Sequence, residues 1–392
     1  MRATAFPIGA AATVGELEAD PYPLLARLRE REPVSWLPAL ECWLVTDRGL
    51  ALQVMRDPQT FTVDDPRFST GQVVGPSMLT LDGVEHARHR DPFAQRFRLA
   101  EVRERFTALV EAETDRLIDA IEPAGRAELR RSVAGPLAVA VVAHALGLAD
   151  ADAARVLGWY DTIVRTVTRV TEGEEVDEEG RAAFEALRAS VEQTLEGDPD
   201  ASLLAAAAGA AAGLTRAEVV SNAAVLMFGG IETTEGMIAN AVLHLLAEPE
   251  ALSVVQADRS LLRNAVEESL RLEPAAAVID RYATEDTVLG DASIGERELV
   301  RISLTGANRD PRFFADPDRF DLRRDAARHH VAFAHGPHVC IGMHLARLEA
   351  HTAIARLLDR LPRLRLDPDL PSTIRGLVFR KPVSLHVVWE AE

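Results

Sequence analysis

The pattern that most constrains the fold is helical periodicity, which runs almost without interruption from about residue 100 to residue 270. Segments such as EVRERFTALVEAETDRLIDAI and SLLRNAVEESLRLEP repeat apolar residues at the three- and four-residue spacing of one helix face. Strand-like stretches are short and lie outside this region, at PVSWLP, CWLVTD, TVLGDASIGERELVRISL and GLVFRKPVSLHVVWE. We therefore predict a mainly α fold with a smaller β portion (α+β).

Composition limits where the protein works and what it binds. The net charge of −18 argues against nucleic acid or an anionic membrane as a general partner. No apolar run approaches the roughly 20 residues that span a bilayer, and Pro7 and Gly9 interrupt the apolar N-terminal stretch. The 2 cysteines form no disulfide framework, so we expect a cytoplasmic protein with no membrane span. Residues 1–18 are expected to form a loosely ordered N-terminal segment.

The stretch FAHGPHVCIG, residues 333–342, holds Cys340 in a turn framed by Gly336 and Gly342. The residues alone leave three interpretations of this thiol open: a buried bystander, a zinc ligand, or the axial thiolate of a haem. Zinc would find histidines nearby, namely His335, His338 and His344, but without the usual paired spacing of such sites. A thiolate bound to iron needs a tight turn that is poor in side chains, and a helix N-terminus beside the sulfur favours its charge.

This stretch resembles the haem-binding loop of the cytochrome P450 family, F-x-x-G-x-H-x-C-x-G, and matches each fixed position. The resemblance implies that Cys340 is the axial iron ligand, that Phe333 packs beside it and that His338 bonds a haem propionate. It implies further that Gly336 allows the turn and that Gly342 lets the next helix approach the ring. Because the similarity covers nearly the whole chain, it implies a P450 fold in one large domain, residues 1–392, around a buried haem.

The stretch MFGGIETTEGM places two glycines inside a strongly apolar predicted helix, where helix packing is the plain explanation. Gly229 and Thr233 are one turn apart, however, so the hydroxyl lies over a patch without side chains. The stretch resembles the family's I-helix motif, [AG]-G-x-[DE]-T, matched by Gly229, Gly230, Glu232 and Thr233. The resemblance implies that Glu232 and Thr233 are catalytic and deliver protons through water to dioxygen, and that the two glycines adjoin the cofactor.

The stretch AVEESLRLEP places Glu268 and Arg271 three residues apart, on one face of a helix. It resembles the E-x-x-R pair of the family's K helix, which is buried and tied to a later arginine. Arg324, in F-D-x-x-R spacing, is the expected third member, and Arg319 is the alternative. This group is expected to be structural.

Four side chains are candidates for holding the two carboxylates of a haem. His86 and Arg90 lie one helical turn apart in LDGVEHARHRDPF and resemble the family's H-x-x-x-R pair on the C helix. Arg281 matches the family's downstream propionate arginine. Together with His338, these groups would neutralise the propionates of haem b, iron protoporphyrin IX.

The resemblance is to the bacterial, soluble P450 type that receives electrons from NAD(P)H through a separate ferredoxin reductase and ferredoxin. It implies a monomeric haem-thiolate monooxygenase that uses O2 to oxidise, most simply to hydroxylate, a hydrophobic secondary metabolite. We expect an acidic ferredoxin to dock near Cys340, on a group of arginines: Arg96, Arg98, Arg103, Arg328 and Arg347. Two alternatives remain open, another oxidation on the same fold and a non-enzymatic haem carrier or sensor.

By the same analogy, the substrate pocket lies between the I helix, the loop before residue 80, the segment after Pro274 and the C-terminal turn. Its expected lining is apolar throughout: Phe68, Val73, Val74, Met78, Leu226, Val278, Ile279, Leu377, Val378 and Phe379. An apolar lining favours a hydrophobic substrate. The sequence leaves open which compound it is and which position is oxidised.

Overall fold

A computed structural model describes residues 2–148, 153–171, 175–196, 204, 208 and 213–391. The helices of this part of the chain are α1 Arg2–Ala5, α2 Pro7–Ala11, α3 Val14–Ala19, α4 Tyr22–Arg31, α5 Arg48–Arg56, α6 Ser69–Val74, α7 Gly83–Ala94, α8 Leu99–Ile121, α9 Gly135–Ala145, α10 Ala153–Thr171, α11 Glu178–Thr194, α12 Arg216–Ala247, α13 Pro249–Ala257, α14 Leu262–Leu272, α15 Leu304–Ala307 and α16 Met343–Arg360. The prediction of a mainly α fold is confirmed.

The strands are β1 Val34–Leu37, β2 Cys42–Val45, β3 Phe61–Thr62, β4 Arg126–Glu128, β5 Val278–Ala283, β6 Thr287–Leu289, β7 Ala292–Ile294, β8 Leu299–Ser303, β9 Arg365–Leu366, β10 Ile374–Arg375, β11 Lys381–Pro382 and β12 His386–Val388. The largest sheet has the order β1-β2-β8-β5-β3, with β2 parallel to β8 and the other pairs antiparallel. A second sheet joins β4, β12 and β9, and β10 pairs with β11.

Helix α12 forms the centre of the helical core. Its sequence is apolar around nearly the whole circumference, which is typical of a helix that is covered on all sides. Its first turn is fixed by a capping box, in which the Glu218 N–H donates to Thr215 Oγ1 at 3.3 Å and the Thr215 N–H donates to Glu218 Oε2 at 2.8 Å. Helices α9, α14 and α16 contact α12, so the segments that carry the candidate motifs meet around it.

The expectation of a loosely ordered N-terminal segment is wrong for residues 2–18, most of which lie in α1, α2 and α3. The backbone N–H groups of Ile8 and Gly9 donate to the buried carboxylate of Glu32 at 2.8 and 3.0 Å. Leu17 is buried against side chains of α4 and of the large sheet. A distant carboxylate therefore anchors a stretch whose own sequence pattern is weak.

In the part of the chain that the structure describes, no single helix is long and apolar enough to cross a membrane. Helices α12 and α13, bent by 102° at their junction, pass that test only when they are taken together, by length and composition.

Candidate active site

The loop before α16 presents Cys340 at the start of that helix. The Cys340 N–H donates to the Phe333 carbonyl at 2.8 Å, and the Val339 N–H donates to the Gly336 carbonyl at 3.1 Å, so the loop closes on itself. Gly336 has φ +76°, and a Cβ there would lie 2.3 Å from the Met55 carbonyl oxygen. Only glycine permits this turn and this approach of the loop to α5.

The surroundings of the Cys340 sulfur act on the pKa of the thiol in both directions, and burial, which raises it, is the largest effect. The N–H groups of Gly342 and Met343 and the guanidiniums of Arg90 and Arg347 act in the opposite direction. The N–H groups belong to the N-terminus of α16, where the helix dipole also favours negative charge.

Two guanidiniums near this loop are short of negative partners. Arg281 is 5% exposed and donates to the Asp280 carbonyl at 2.7 Å; Arg90 donates to the Val339 carbonyl at 2.6 Å. Among the described residues, neither forms an ion pair. Burial lowers the pKa of both guanidiniums. Keeping such a charge away from water costs free energy, which a nearby anion would offset.

These residues fit a haem. Two guanidiniums without carboxylates suit two propionates, and the buried Nε2 atom of His86 has no hydrogen-bond partner in the described part of the chain. A Cβ at Gly229 or Gly342 would meet no atom within 4 Å, so both backbones can border a flat ring. A thiolate, four nitrogen groups and two side-chain-free surfaces match what a haem with an axial sulfur requires.

His338 makes a contact that the sequence did not indicate. Its Nε2 atom lies 2.8 Å from Asp82 Oδ1, and the other Asp82 oxygen accepts from Thr62 Oγ1 and the Val63 N–H at 2.7 and 2.8 Å. Although burial acts to raise it, the hydrogen bonds of His338 and Val63 lower the pKa of Asp82 to about 2. Asp82 therefore fixes the ring of His338, whose centroid lies 4.3 Å from that of His86.

The residues of the α12 motif make different kinds of contact, some within the helix and some with the neighbouring helix α9. Thr233 Oγ1 donates to the Gly229 carbonyl at 2.6 Å, one turn earlier, as the spacing predicts. A Cβ at Gly230 would lie 2.6 Å from Val142 Cγ2, so this glycine serves the close packing of α12 on α9. Its place beside a cofactor stays a prediction.

Glu232 lies in an ion network that sequence reasoning missed. Lys381 Nζ is 2.7 Å from Glu232 Oε1 and 2.6 Å from Glu235 Oε2, and Tyr160 donates its hydroxyl to Glu232. Arg130 Nε donates to the other Glu235 oxygen at 2.6 Å. The network joins α10, α12, the segment before α9 and β11, whose residues are up to 251 positions apart (381 minus 130). The only available signal was that Lys381 is the single lysine of the chain.

The predicted E-x-x-R group is fully buried. Arg271 donates from Nε and Nη2 to the two Glu268 oxygens, both at 2.8 Å, and both side chains are 0% exposed. Arg324 Nε donates to Glu268 Oε1 at 2.9 Å, whereas the Arg319 guanidinium pairs with Asp321. The geometry thus gives the third position to Arg324.

The predicted pocket residues do not all face one space. Val73, Val74 and Met78 belong to the core around α12, and Leu226 packs against it. The Phe379 ring lies 5.5 Å from that of Phe228, an aromatic residue of α12 that the prediction omitted.

Val278 and Leu377 border a cavity with Leu17, Leu25 and Leu44, on the side of the N-terminal helices. Their place in the substrate pocket stays a prediction. Successive strand residues point to opposite faces, so Val278 and Ile279 cannot both face the haem side. The remaining members of the predicted set, Phe68, Ile279 and Val378, are partly buried.

Arg347, one of the arginines predicted to receive the ferredoxin, is paired within the chain. Its Nε and Nη2 atoms donate to the two Glu267 oxygens at 2.6 and 2.9 Å. Its guanidinium lies 4.6 Å from the Phe333 ring centroid. Arg347 therefore braces the Cys340 loop. Arg98, Arg103 and Arg328 are exposed.

The chain is similar to known proteins over most of its length. The model of the family described as Cytochrome P450 matches residues 184–381. Cytochrome P450 monooxygenase PikC of Streptomyces venezuelae is 36% identical over 374 residues, covering 90% of this chain and 86% of that protein. Nocardicin C N-oxygenase of Nocardia uniformis subsp. tsuyamanensis is 34% identical over 386 residues, covering 94% of this chain and 96% of the relative.

A solved structure extends the similarity to the fold. The post-tailoring hydroxylase HmtN, involved in himastatin biosynthesis, has a TM-score of 0.84 and 30% identity, covering 97% of this chain and 100% of that one. Fold and site together define an oxidoreductase with a mainly α architecture. The chain belongs to the cytochrome P450 family, which implies a haem cofactor and the use of O2.

Proposed function

We propose that the protein is a haem-thiolate monooxygenase that hydroxylates a hydrophobic secondary metabolite with electrons from a separate ferredoxin. The observation that carries the proposal is the arrangement around α12 and α16. Cys340 stands at the N-terminus of one helix, and Thr233 and Glu232 lie on the other. Near the Cys340 loop are the guanidiniums of Arg90, which is partly buried, and of Arg281, which is buried, both without carboxylate partners among the described residues.

Each group has a part in that reaction. Bound haem supplies the electron-transfer and dioxygen chemistry. Cys340 holds the metal through its thiolate, and His86, Arg90, Arg281 and His338 hold the two propionates. Thr233 holds a hydroxyl proton on the Gly229 carbonyl, and the Glu232 carboxylate lies one residue away, so the two groups can pass protons through water.

Apolar side chains near the α12 motif support a hydrophobic substrate. Leu226 and Phe228 precede Gly229 on α12, and the Phe379 ring contacts that of Phe228. None of these side chains carries a charge. Nocardicin C N-oxygenase acts, by its name, on nocardicin C, and HmtN is a hydroxylase involved in himastatin biosynthesis. We propose a compound of that general kind, which the apolar side chains bind mainly by desolvation.

A ferredoxin is the proposed electron donor. Arg98 and Arg103 are exposed near the start of α8, and the charge of Arg103 acts on His344 of α16, so these arginines border the Cys340 side of the molecule. Reversing both charges (R98E with R103E) should raise the apparent KM for ferredoxin steeply at low salt, since charge complementarity mainly accelerates encounter. Unchanged turnover at low salt would refute docking at this surface.

The deciding experiment is a reconstituted reaction under 18O2. A metabolite library is first screened for compounds that change the haem spin state. The compounds that do so are then incubated with NAD(P)H, ferredoxin reductase and ferredoxin, and the products are analysed by mass. One 18O atom in the product supports monooxygenation. A product that lacks 18O points to the alternative, a desaturation or an oxidative coupling on the same fold.

A further inference from the structure

The single lysine of the chain lies against the proposed proton-transfer group. Lys381 is in β11, beyond the turn that carries Phe379, and its side chain is only 14% exposed. Its ammonium lies between Glu232 Oε1 at 2.7 Å and Glu235 Oε2 at 2.6 Å. Every other cation in side chains at neutral pH, histidine aside, is an arginine.

The two carboxylates differ in how firmly they are held. Glu235 also accepts from Arg130 Nε at 2.6 Å, and Arg130 Nη1 donates to the Pro382 and Val383 carbonyls at 3.0 and 2.6 Å. Arg130 therefore ties Glu235 to the strand that carries Lys381. In the described part of the chain, Glu232 has only Lys381 and the Tyr160 hydroxyl as partners. Lys381 is thus the only cation that fixes Glu232.

Removing the ammonium would leave the carboxylates unbalanced. Glu232 and Glu235 are three residues apart on one helix face, and like charges at that spacing repel one another. The side chains are 11% and 9% exposed, so water screens the repulsion poorly. Arg130 alone cannot neutralise both. Glu232 would then lose the contact that holds it in its present position.

We propose that Lys381 is a positioning residue for proton delivery. Anchored on Glu235, its ammonium holds the Glu232 carboxylate in a fixed place on the residue before Thr233, although it contacts no reacting atom itself. The inference rests on the role proposed above for Glu232. It adds a residue from the C-terminal hairpin to the machinery of α12.

The first test needs neither substrate nor turnover. Labelling with [15N]lysine gives one Nζ resonance, because the chain has one lysine. The experiment uses the diamagnetic, reduced, carbon monoxide-bound holoprotein. There the Nζ signal should be visible at neutral pH, because the hydrogens of a paired ammonium exchange slowly with water. Both E232Q and E235Q should shift this signal. An Nζ that exchanges as fast as an exposed amine, or one that E232Q leaves unmoved, would overturn the proposal even if the protein is an active monooxygenase.

The second test is a double-mutant cycle on coupling, the product formed per NAD(P)H consumed, with the compound identified in the spin-state screen. K381M should lower coupling about tenfold, a fraction of the 10²- to 10⁴-fold typical for a lost proton-transfer group. K381R should restore most of it. On the E232Q background, K381M should cause no further loss, since both changes act through one group.

A purely structural role gives a different pattern. K381M would then lower coupling by the same factor with and without Glu232, and that result would overturn the proposal. R375M is the matched control, because Arg375 is exposed and directly opposite Lys381 in the β10–β11 pair. It removes a cation from the same hairpin and should leave coupling unchanged. The spectrum of the reduced carbon monoxide complex checks separately that each variant keeps its haem ligand.

Discussion

Replacing Arg271 by methionine tests the buried group that joins α14 to the loop before Cys340. The guanidinium makes five hydrogen bonds, two to Glu268 and three to the carbonyls of Asn308, Pro317 and Arg319, at 2.7 to 3.2 Å. Removing one member of a fully buried pair costs about 3–5 kcal/mol. The orphaned carbonyls add about 1 kcal/mol each. Because Glu268 keeps the Arg324 guanidinium and the Asp321 N–H as partners, we expect a total near 4–6 kcal/mol.

Urea denaturation of the holoprotein, followed by circular dichroism, measures this cost against two related variants. R324M loses one bond to Glu268 and contacts to loop carbonyls, and should cost about 2–3 kcal/mol. R319M is the matched control, because the Arg319 side chain is 66% exposed and, among the described residues, pairs with Asp321 alone, so its loss should leave the free energy of unfolding close to that of the wild type. The reasoning is refuted if R271M lies within about 1 kcal/mol of the wild type, or if R319M costs as much as R324M. If R271M does not accumulate as folded protein, the comparison of R324M with R319M still tests the reasoning, because R324M should lose more stability.

Three more predictions concern single positions. Glu349 is buried, its Oε2 atom has no partner in the described chain, and burial raises its pKa well above the ordinary range. In the folded protein the neutral carboxyl is therefore the stable form. The free energy of unfolding of the wild type, relative to that of E349Q, should be greatest in acid and fall by about 1.4 kcal/mol per pH unit as the pH rises from near 5 toward the folded-state pKa. Equal pH slopes for the two proteins in urea titrations would contradict this. G336A should lower the melting temperature and the haem content, because its φ of +76° and the Met55 carbonyl at 2.3 Å leave no place for a Cβ; a normal melting curve would contradict it. R281M should release haem to apomyoglobin roughly 10–100-fold faster, as expected for loss of a charge-assisted bond to a propionate, and an unchanged rate would remove Arg281 from the haem site.

Local patterns in the sequence sufficed for the motifs but not for their partners. Gly229 and Thr233, or Glu268 and Arg271, are close in sequence, so helical geometry alone brings them together. The Lys381–Glu232 contact joins residues 149 positions apart (381 minus 232), and no local pattern specifies it. Arg347 looked available for docking for the same reason, since its partner Glu267 lies 80 residues earlier.

The remaining differences come from tertiary contacts that override weak local signals. The N-terminal stretch has little periodicity of its own, and Glu32 orders it by accepting two backbone N–H bonds. Gly230 looks like Gly229 in the sequence, yet only Gly230 meets Val142 across a helix contact. Strand alternation could have separated Val278 from Ile279, had the start of β5 been known.

The most direct test of the account is the carbon monoxide difference spectrum of the dithionite-reduced protein and of a Cys340→Ser variant. The N–H groups of Gly342 and Met343 and the charges of Arg90 and Arg347 all favour a thiolate at Cys340. We therefore predict a strongly red-shifted Soret band for the wild type and an unshifted band, or loss of haem, for the variant. A wild-type protein that binds haem with an unshifted band, or a variant that keeps the shifted one, would contradict the central claim that Cys340 is the axial ligand.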